Sequence, residues 1–214
     1  MPRRSARGDL IGLERDVRAC LDAGDRRGAV GLVVERLGTS IHGYLRTLLV
    51  EDEADEAYSI FQWNLMTGLP AFRWECPLQA WAHRLAYHAA ARVWRRPGRR
   101  LEEPLPSALS LLGPGSFRSA TRPSSRHAGL EVLRASLSME DQTLLTLRYD
   151  RELEWEEIAA VLEGSDGDDG PTPPSSGGDG RLRPRARQAA TLRKRYERLT
   201  RRLREEARHH GLID

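Results

Sequence analysis

The spacing of apolar residues between positions 27 and 50 limits the fold of this 214-residue chain more than any other feature. Apolar side chains recur there every three or four residues, which places them along one face of an α-helix. They are Val30, Val33, Val34, Leu37, Ile41, Tyr44, Leu45 and Leu48. No segment convincingly alternates apolar and polar residues as a half-buried strand does. The sequence therefore predicts an all-α fold.

Three more helices are predicted in the first hundred residues. A short helix over 13–23 carries Leu13, Val17 and Leu21 at intervals of four residues. Another begins in EDEADEAYSIFQWNLM, whose acidic start suits the positive end of a helix dipole. Its inward-facing residues are predicted to be Ala57, Ile60, Phe61 and Leu65. After the loop GLPAFRWECP, a further helix runs from about Leu78 to Arg96 and stops at Pro97-Gly98.

A second group of helices is predicted from about His127 onward. Its first apolar positions are Leu130, Val132, Leu133 and Leu137. Ser138 is a candidate N-cap, with Asp141 three residues later, and the helix that follows carries Leu144, Leu145 and Leu147. The segment WEEIAAVL and a basic helix from about 184 to 209 complete the group. In the basic helix one apolar stripe is formed by Leu192, Tyr196, Leu199 and Leu203.

Two segments between the helices have the composition of connections. Residues 97–126 contain five prolines among serines and glycines, which is typical of a linker. Residues 164–180 contain no apolar side chain other than proline. The sequence thus predicts two small helical domains, 10–96 and 127–210, joined by the Pro-rich linker 97–126, with a disordered insertion over 164–183.

Charge is concentrated in two basic islands on an otherwise acidic chain. Residues 181–208 hold twelve basic and three acidic side chains, and residues 72–100 hold seven basic and one acidic. Two such islands are typical of surfaces that contact a polyanion, although charge runs are also common on ordinary solvated helix faces. The two cysteines, Cys20 and Cys76, form no CxxC motif, which favours a reducing cytoplasm. No signal peptide and no membrane-spanning run is predicted.

Short helices followed by an arginine-rich amphipathic helix suggest a helix-turn-helix, whose second helix enters the major groove of DNA. By spacing alone, the same helix also fits a membrane surface or a partner helix. The motifs of catalysis are missing: there is no GxSxG, no phosphate-cradling glycine loop and no Cys–His constellation. The histidines are scattered, and DGDDGPTPP lacks the glycine and glutamate positions of a calcium loop. No enzymatic activity, metal or cofactor is predicted.

Five segments resemble bacterial sigma factors of the extracytoplasmic-function group. ACLDAGDRRGAVGLVVERLGTSIHGYLRTLL is similar to the opening two helices of that family. LSMEDQTLLTLRYDRELEWEEIAAVL is similar to the fourth conserved region of that family, and TLRKRYERLTRRL resembles its recognition helix. DEADEAYSIFQWNL resembles the helix that binds the clamp of core RNA polymerase. CPLQAWAHRLAYHAAARVWRR resembles the helix that reads and melts the minus-ten promoter element. The matches fall in the family's order on both sides of a linker.

The resemblance implies a protein that binds core RNA polymerase, at its clamp and flap, and directs it to promoter DNA. An anti-sigma factor would be a further partner of such a protein. The implied polymerase-binding residues are Asp52, Asp55, Tyr58, Ser59, Phe61 and Gln62. The implied minus-ten residues are Arg84, His88, Arg92, Arg95 and Arg96, with the loop from Phe72 to Pro77 as a base pocket. Trp81 and Trp94 are expected in the core rather than as stacking platforms for bases.

The last helix would read the minus-thirty-five element. Its implied contacts are Arg185, Arg187, Gln188, Thr191, Arg193, Lys194, Arg195 and Arg198. Among them, Arg187 and Gln188 are expected at base edges, while Arg193, Arg195 and Arg198 are expected at phosphates.

The sequence departs from the family pattern at several places. Tyr58-Ser59 stands where the family has Gln-Glu, His88 replaces an asparagine, and Arg92 replaces an aspartate. The turn of the helix-turn-helix is about twenty residues longer than usual. These departures leave two alternatives open: a stand-alone helix-turn-helix regulator, or a degenerate sigma-like protein that binds a partner without starting transcription. An enzyme acting on nucleic acid has only the basic islands in its favour.

The enlarged turn raises the question of what positions the basic helix. Closing the longer loop adds only about 1–2 kcal/mol, because loop entropy grows with the logarithm of length. Burying the four-residue stripe against Leu144, Leu147, Ile158 and Val161 contributes roughly 6–10 kcal/mol before ordering costs. A preserved helix pair is therefore expected. The insertion is either a neutral surface loop or an autoinhibitory one, whose carboxylates compete with DNA for arginines; these are Asp166, Asp168, Asp169 and Asp179.

Overall fold

A computed structural model describes residues 3–96, 137–149, 151, 153–162 and 182–209 of the chain. In these ranges every regular element is helical and no strand occurs, which confirms the all-α prediction. The first group of helices comprises α1 (Arg3–Asp22), α2 (Arg26–Leu48), α3 (Glu51–Gly68), a 3-10 turn (Leu69–Ala71) and α4 (Leu78–Trp94). The second group comprises α5 (Met139–Tyr149), α6 (Trp155–Leu162) and α7 (Leu182–His209).

Local signals explain how α1 and α2 form an antiparallel pair. Gly24 ends α1 in the left-handed conformation, with φ 77°, which a side chain would disfavour. Asp25 then caps α2, because its Oδ1 accepts a hydrogen bond of 2.8 Å from the Gly28 amide. The predicted start of α1 at residue 13 was too late, since the helix begins at Arg3. Its first residues are basic and polar, so apolar spacing did not reveal them.

Helix α4 lies at the centre of the first group and contacts both α2 and α3. Eleven of its residues are buried, including Ala82, Ala86 and Ala90, whose small side chains let neighbouring helices approach. A close approach also joins α2 and α3, because a Cβ on Gly38 would lie 2.7 Å from the Tyr58 hydroxyl. The predicted inward residues of α3 are buried at Ala57, Phe61 and Leu65, and Ile60 is half-buried.

The second group follows the predicted pattern where it is described. Ser138 caps α5 as expected, since its Oγ accepts a 3.1 Å hydrogen bond from the Asp141 amide. Helix α6 coincides with the segment WEEIAAVL, and its first turn is closed by a 2.8 Å bond from the Glu154 amide to Glu157 Oε2. The predicted linker 97–126, the helix from His127 and most of the insertion 164–183 lie outside the described residues.

The two groups of helices pack on each other. Helix α2 contacts α5, and α4 contacts α6. Their buried side chains form one continuous cluster that runs from Leu13 to Leu192. Two hydrogen bonds cross between α2 and α5: Tyr44 to Thr143 at 3.1 Å, and Thr47 to Thr146 at 3.4 Å between hydroxyl oxygens. The division into two independent domains therefore remains a prediction.

Candidate nucleic-acid interface

Helix α7 has two sharply different faces. Its buried face lies against α5 and α6, where Leu192, Leu199 and Leu203 are all less than a tenth exposed. Tyr196 is half-buried in the same stripe, and Ala189 and Ala207 extend it at both ends. The predicted stripe is thus confirmed, and so is the burial of its expected partners Leu144, Leu147, Ile158 and Val161.

The face opposite this stripe is basic and exposed. Arg187, Thr191, Lys194 and Arg198 recur on it at intervals of three or four residues, and all four are exposed. Arg201 continues the same line, and sequence reasoning had not included it. Of the other predicted contacts, Arg185 and Gln188 are half-buried near the start of the helix. We define Arg187, Thr191, Lys194, Arg198 and Arg201 as the basic face of α7.

Two of the arginines predicted to hold phosphates are engaged within the chain. The Arg193 Nε lies 3.3 Å from Glu197 Oε1, one turn away on the same helix. Arg195 is held more firmly: its Nε donates to Asp141 Oδ1 and its Nη1 to Glu140 Oε2, both at 2.7 Å. Burial alone would lower the pKa of Arg195, but the hydrogen bonds to these carboxylates outweigh burial and raise it. Its hydrogen-bonding capacity is therefore largely used inside the protein.

Aromatic contacts hold α7 beside α6. The Trp155 ring meets the Tyr196 ring edge to face, with centroids 5.5 Å apart. The guanidinium of Arg148 lies 4.7 Å from the Trp155 ring centroid, and its Nη1 donates to the Leu153 carbonyl at 2.9 Å. These contacts connect the end of α5, the start of α6 and the middle of α7.

The predicted minus-ten residues on α4 divide into two sets. Arg92, Arg95 and Arg96 are exposed at its C-terminal end. Arg84 and His88 are half-buried, because α4 is surrounded by other helices along most of its length. Arg96 also donates from Nη1 to Glu56 Oε2 on α3 at 2.9 Å. Trp81 is buried and Trp94 packs against the core, in agreement with their predicted structural role.

The loop before α4, predicted as a base pocket, is organised by its own aromatic residues. Phe72 stacks on Trp81 with centroids 4.6 Å apart and lies beside Trp74 at 4.8 Å. Trp74 adopts φ 60°, a left-handed conformation that is unfavourable for a bulky side chain. The guanidinium of Arg18 lies 4.2 Å from the Trp74 ring centroid. Sequence reasoning missed Arg18, because no local pattern links α1 to this loop.

A further tie from α1 positions α4 itself. The Leu78 amide, at the open N-terminus of α4, donates a 2.8 Å hydrogen bond to Glu14 Oε1. Near this point Cys76 is half-buried, and burial raises the pKa of its thiol to about 11, against the opposing influence of Arg185 and Arg84.

The predicted polymerase-binding residues lie along α3, but they do not all face solvent. Asp52, Asp55, Ser59 and Gln62 are exposed, and Tyr58 is half-buried. Phe61 is fully buried, so its side chain packs in the core and has no surface to offer a partner. Its position in the inward-facing apolar pattern of α3 is the signal that places it there.

The exposed face of α3 contains residues that sequence reasoning missed. Trp63 is 64% exposed and Met66 is 48% exposed, which is unusual for such large apolar side chains. They continue the line of Ser59 and Gln62 toward the end of α3. Asp55, near the acidic start of the same face, accepts a 2.7 Å hydrogen bond from His42 Nε2 on α2.

A histidine is buried beside Tyr44, whose hydroxyl contacts α5. His83 on α4 is fully buried, and its Nδ1–H donates to the Gln79 carbonyl at 2.9 Å. Burial lowers the pKa of His83 to about 4; the hydrogen bond to Gln79 opposes this shift, and the positive charge of Arg151 adds to it. The ring of Tyr44 lies edge-on to it, with centroids 5.6 Å apart.

Within the described ranges, no three metal-ligating side chains are grouped so that they could hold an ion. None of the helices described here combines the length and apolar character needed to cross a membrane. No protein-family model, no curated protein and no solved structure matches the chain. The class that fold and site define is thus an all-helical protein whose last described helix has one buried apolar face and one exposed basic face.

Proposed function

We propose that this protein is a sigma factor, which binds core RNA polymerase and directs it to initiate transcription at specific promoters. The observation that carries the proposal is the basic face of α7, which lies opposite a stripe buried against two short helices. A helix held in this way presents cationic and hydrogen-bonding side chains to a DNA groove without disturbing its own packing. The sequence resemblance in both groups of helices gives the particular class of DNA-binding protein.

The proposed roles on α7 follow from exposure. Arg187 and Thr191 are exposed near the start of the helix, and in this proposal they contact base edges of the minus-thirty-five element. Lys194, Arg198 and Arg201 extend along the same face and neutralise phosphates. Arg195 takes no part in this contact, because Glu140 and Asp141 already bind its guanidinium.

The first group of helices would bind the polymerase and the minus-ten element. Arg92 and Arg95, with Arg96, form a cationic end of α4 suited to the DNA backbone. The exposed face of α3 combines carboxylates at its start with Trp63 and Met66 near its end. A polar and apolar face of this kind suits a protein partner, since tryptophan and methionine are enriched in interfaces.

The packing of the two groups has a consequence for this function. The names of the minus-thirty-five and minus-ten elements give their positions, which differ by about 25 base pairs. This separation is roughly 85 Å at 3.4 Å per base pair. In the compact arrangement, α2 contacts α5 and α4 contacts α6, so the two groups of helices lie against each other. Simultaneous contact with both elements therefore requires α5–α7 to separate from α2 and α4, breaking the hydrogen bonds of Tyr44 and Thr47.

The decisive experiment is run-off transcription with polymerase core reconstituted with this protein. Promoters would first be selected by sequencing the DNA that the reconstituted enzyme retains. The expected result is a discrete transcript that depends on the added protein. The double variant Lys194→Glu/Arg198→Glu should abolish promoter binding, whereas Arg27→Glu/Arg36→Glu, an equal charge change on exposed residues of α2, should retain it.

Two outcomes would contradict the proposal. Failure to co-purify with core polymerase, together with a shift of duplex DNA by the protein alone, would identify a stand-alone regulator. Co-purification without any selected promoter would identify a sigma-like protein that binds the polymerase and does not start transcription. The Tyr58-Ser59 departure on α3 is the sequence feature that makes these controls necessary.

A further inference from the structure

The connection between α6 and α7 cannot by itself set the orientation of the basic face. Nineteen residues, 163–181, separate the two helices, whereas a turn of a few residues restricts the following helix directly. A connection of that length permits α7 to rotate about its axis at little entropic cost. Some other contact must therefore decide which side chains α7 presents outward.

The buried stripe only partly answers this requirement. Contacts among Leu192, Leu199 and Leu203 and their neighbours are apolar, and apolar burial is largely non-directional. A rotation of α7 by a few tens of degrees would keep much of that area buried while turning Arg187 and Lys194 away from their outward positions. A directional contact is needed to select one orientation.

Arg195 supplies such a contact. Its planar guanidinium donates to three acceptors at the start of α5: Asp141 Oδ1 and Glu140 Oε2 at 2.7 Å, and Ser138 Oγ at 3.4 Å. A guanidinium has its donors in a fixed planar fork, so several acceptors at once define its orientation. The carboxylates also lie in the first turn of α5, where the helix dipole favours negative charge.

The site is shielded enough for these ion pairs to matter. The Arg195 side chain is 35% exposed and that of Asp141 is 19% exposed, so solvent screens their interaction less than that of a fully exposed pair. Glu140 is more open, at 43%. Asp141 is therefore the stronger anchor, and Glu140 the auxiliary one.

The neighbouring residue fixes α7 from a second direction. Tyr196 packs edge to face on Trp155 of α6, while Arg195 binds α5. Side chains of consecutive residues point about 100° apart around a helix, so the two contacts act from different sides of α7. Together they oppose rotation in either sense.

We infer that Arg195 is a positioning residue of α7, whose pairing with Asp141 and Glu140 fixes the rotation of the helix and so decides which residues form its basic face. The inference rests on the proposed function and deepens it. Family resemblance implies that Arg195 contacts a DNA phosphate, whereas we infer that Arg195 holds α7 in place. Its structural part is nevertheless measurable without any DNA.

The first test is hydrogen exchange of the α7 amides in the full chain. Arg195→Gln should speed exchange in α7 about tenfold, the size expected from losing charge-assisted hydrogen bonds at a half-buried site. Asp141→Asn should have a similar effect, and the double variant should add little to either single change. Arg198→Gln, one turn away and fully outward, is the matched control and should leave α7 exchange unchanged.

Rescue separates a specific pairing from general damage. Arg195→Asp combined with Asp141→Arg restores one ion pair in the reverse sense, and it should recover most of the lost protection. Arg195→Lys should recover only part, because an ammonium lacks the planar fork. Full additivity of Arg195→Gln and Asp141→Asn, or absence of any rescue, would overturn the inference even if the protein bound no DNA.

The second test is the salt dependence of binding to the selected promoter. Arg195→Gln should weaken binding while leaving the slope of log K against log salt unchanged, because no phosphate contact is lost. Arg198→Gln should reduce that slope by about 0.9, the value for one phosphate. A slope reduced by Arg195→Gln, with normal α7 exchange, would instead establish Arg195 as a phosphate contact.

Discussion

The two helices predicted to contact DNA, α4 and α7, are held in the fold in opposite ways. Helix α4 is enclosed by neighbours, so that most of its residues are buried and only the arginines at its C-terminal end are exposed. Helix α7 contacts the protein along one stripe and leaves the opposite face open. The same sequence signal, arginines at helical spacing, therefore corresponds to two different structural settings.

The difference shows that arginine content alone does not identify a contact surface. On α7 the exposed arginines lie opposite the buried stripe, while Arg195 at its edge is taken up by carboxylates. On α4, Arg84 is half-buried, and the exposed Arg96 pairs with Glu56. Exposure and pairing, which depend on neighbouring helices, separate binding candidates from structural residues.

The largest effect should come from placing a carboxylate at one alanine in each of the two helices. Ala90→Glu on α4 buries an unpaired carboxylate and should lower the free energy of unfolding by about 3–5 kcal/mol. Ala190→Glu on α7 lies in solvent and should change it by less than about 0.5 kcal/mol. Urea denaturation of both variants measures the contrast, and equal losses would show that α7 is as enclosed as α4.

Acid should lower the free energy of unfolding through His83, which is buried on α4. Its pKa is about 4 when folded and 6.5 in an unfolded chain, so the unfolded state binds more protons between these values. The contribution of His83 to the free energy of unfolding is therefore fully present above pH 6.5. It is lost as the pH falls toward 4, and the total loss is about 3 kcal/mol.

His83→Leu should remove this fall from the pH dependence of urea midpoints. The half-exposed His42, which pairs with Asp55 outside the core, provides the control: His42→Gln should retain it. An unchanged acid profile in His83→Leu would mean that other groups cause the loss of stability.

The contact between the two groups of helices should contribute about 1 kcal/mol through its buried hydrogen bond. Tyr44→Phe removes the hydroxyl that meets Thr143 and leaves the ring in place. Thr143→Val should cost a similar amount, and the double variant should cost less than the sum of the two. Additive losses of free energy would indicate that the two hydroxyls do not interact. The contact between the two groups of helices would then be weaker than the packing of α4 against its neighbours.

The smallest effect on stability should come from the N-terminus of α4, which Glu14 of α1 caps. Glu14→Ala removes the acceptor of the Leu78 amide and should cost roughly 0.5–1 kcal/mol. Glu35→Ala, an exposed residue of α2, is the control and should be nearly neutral. Thermal unfolding measures both variants, and equal values would mean that α4 does not depend on this tie.

Much of the local structure could be read from the sequence. Apolar spacing predicted α2 closely, the segment WEEIAAVL coincides with α6, and the serine-to-aspartate spacing predicted the cap of α5. These features depend on side chains within one or two turns of each other. Such short-range preferences can be recognised from the order of residues alone. The polar start of α1 was missed for the same reason, because it has no apolar pattern to read.

The assignment of individual residues to the site was less accessible. Phe61 belongs to the inward pattern of its helix, yet family resemblance included it among the polymerase contacts, while the exposed Trp63 and Met66 were passed over. Trp63 and Met66 lie outside the inward pattern of α3, which favours exposure, but periodicity does not show whether a second neighbour covers that face. Only the packing of α3 shows that these two remain open to a partner.

By itself, the sequence determined that the described part of the chain is helical and where several of its helices begin. It also determined that α7 carries an apolar stripe opposite a basic face. Those properties follow from periodicity and local hydrogen bonding. Tertiary structure alone decided that Arg195 faces α5, that α4 is enclosed, and that the two groups of helices share one core. Each of these depends on residues far apart in the chain, whose approach is set by complementary packing and by the pairing of buried polar groups.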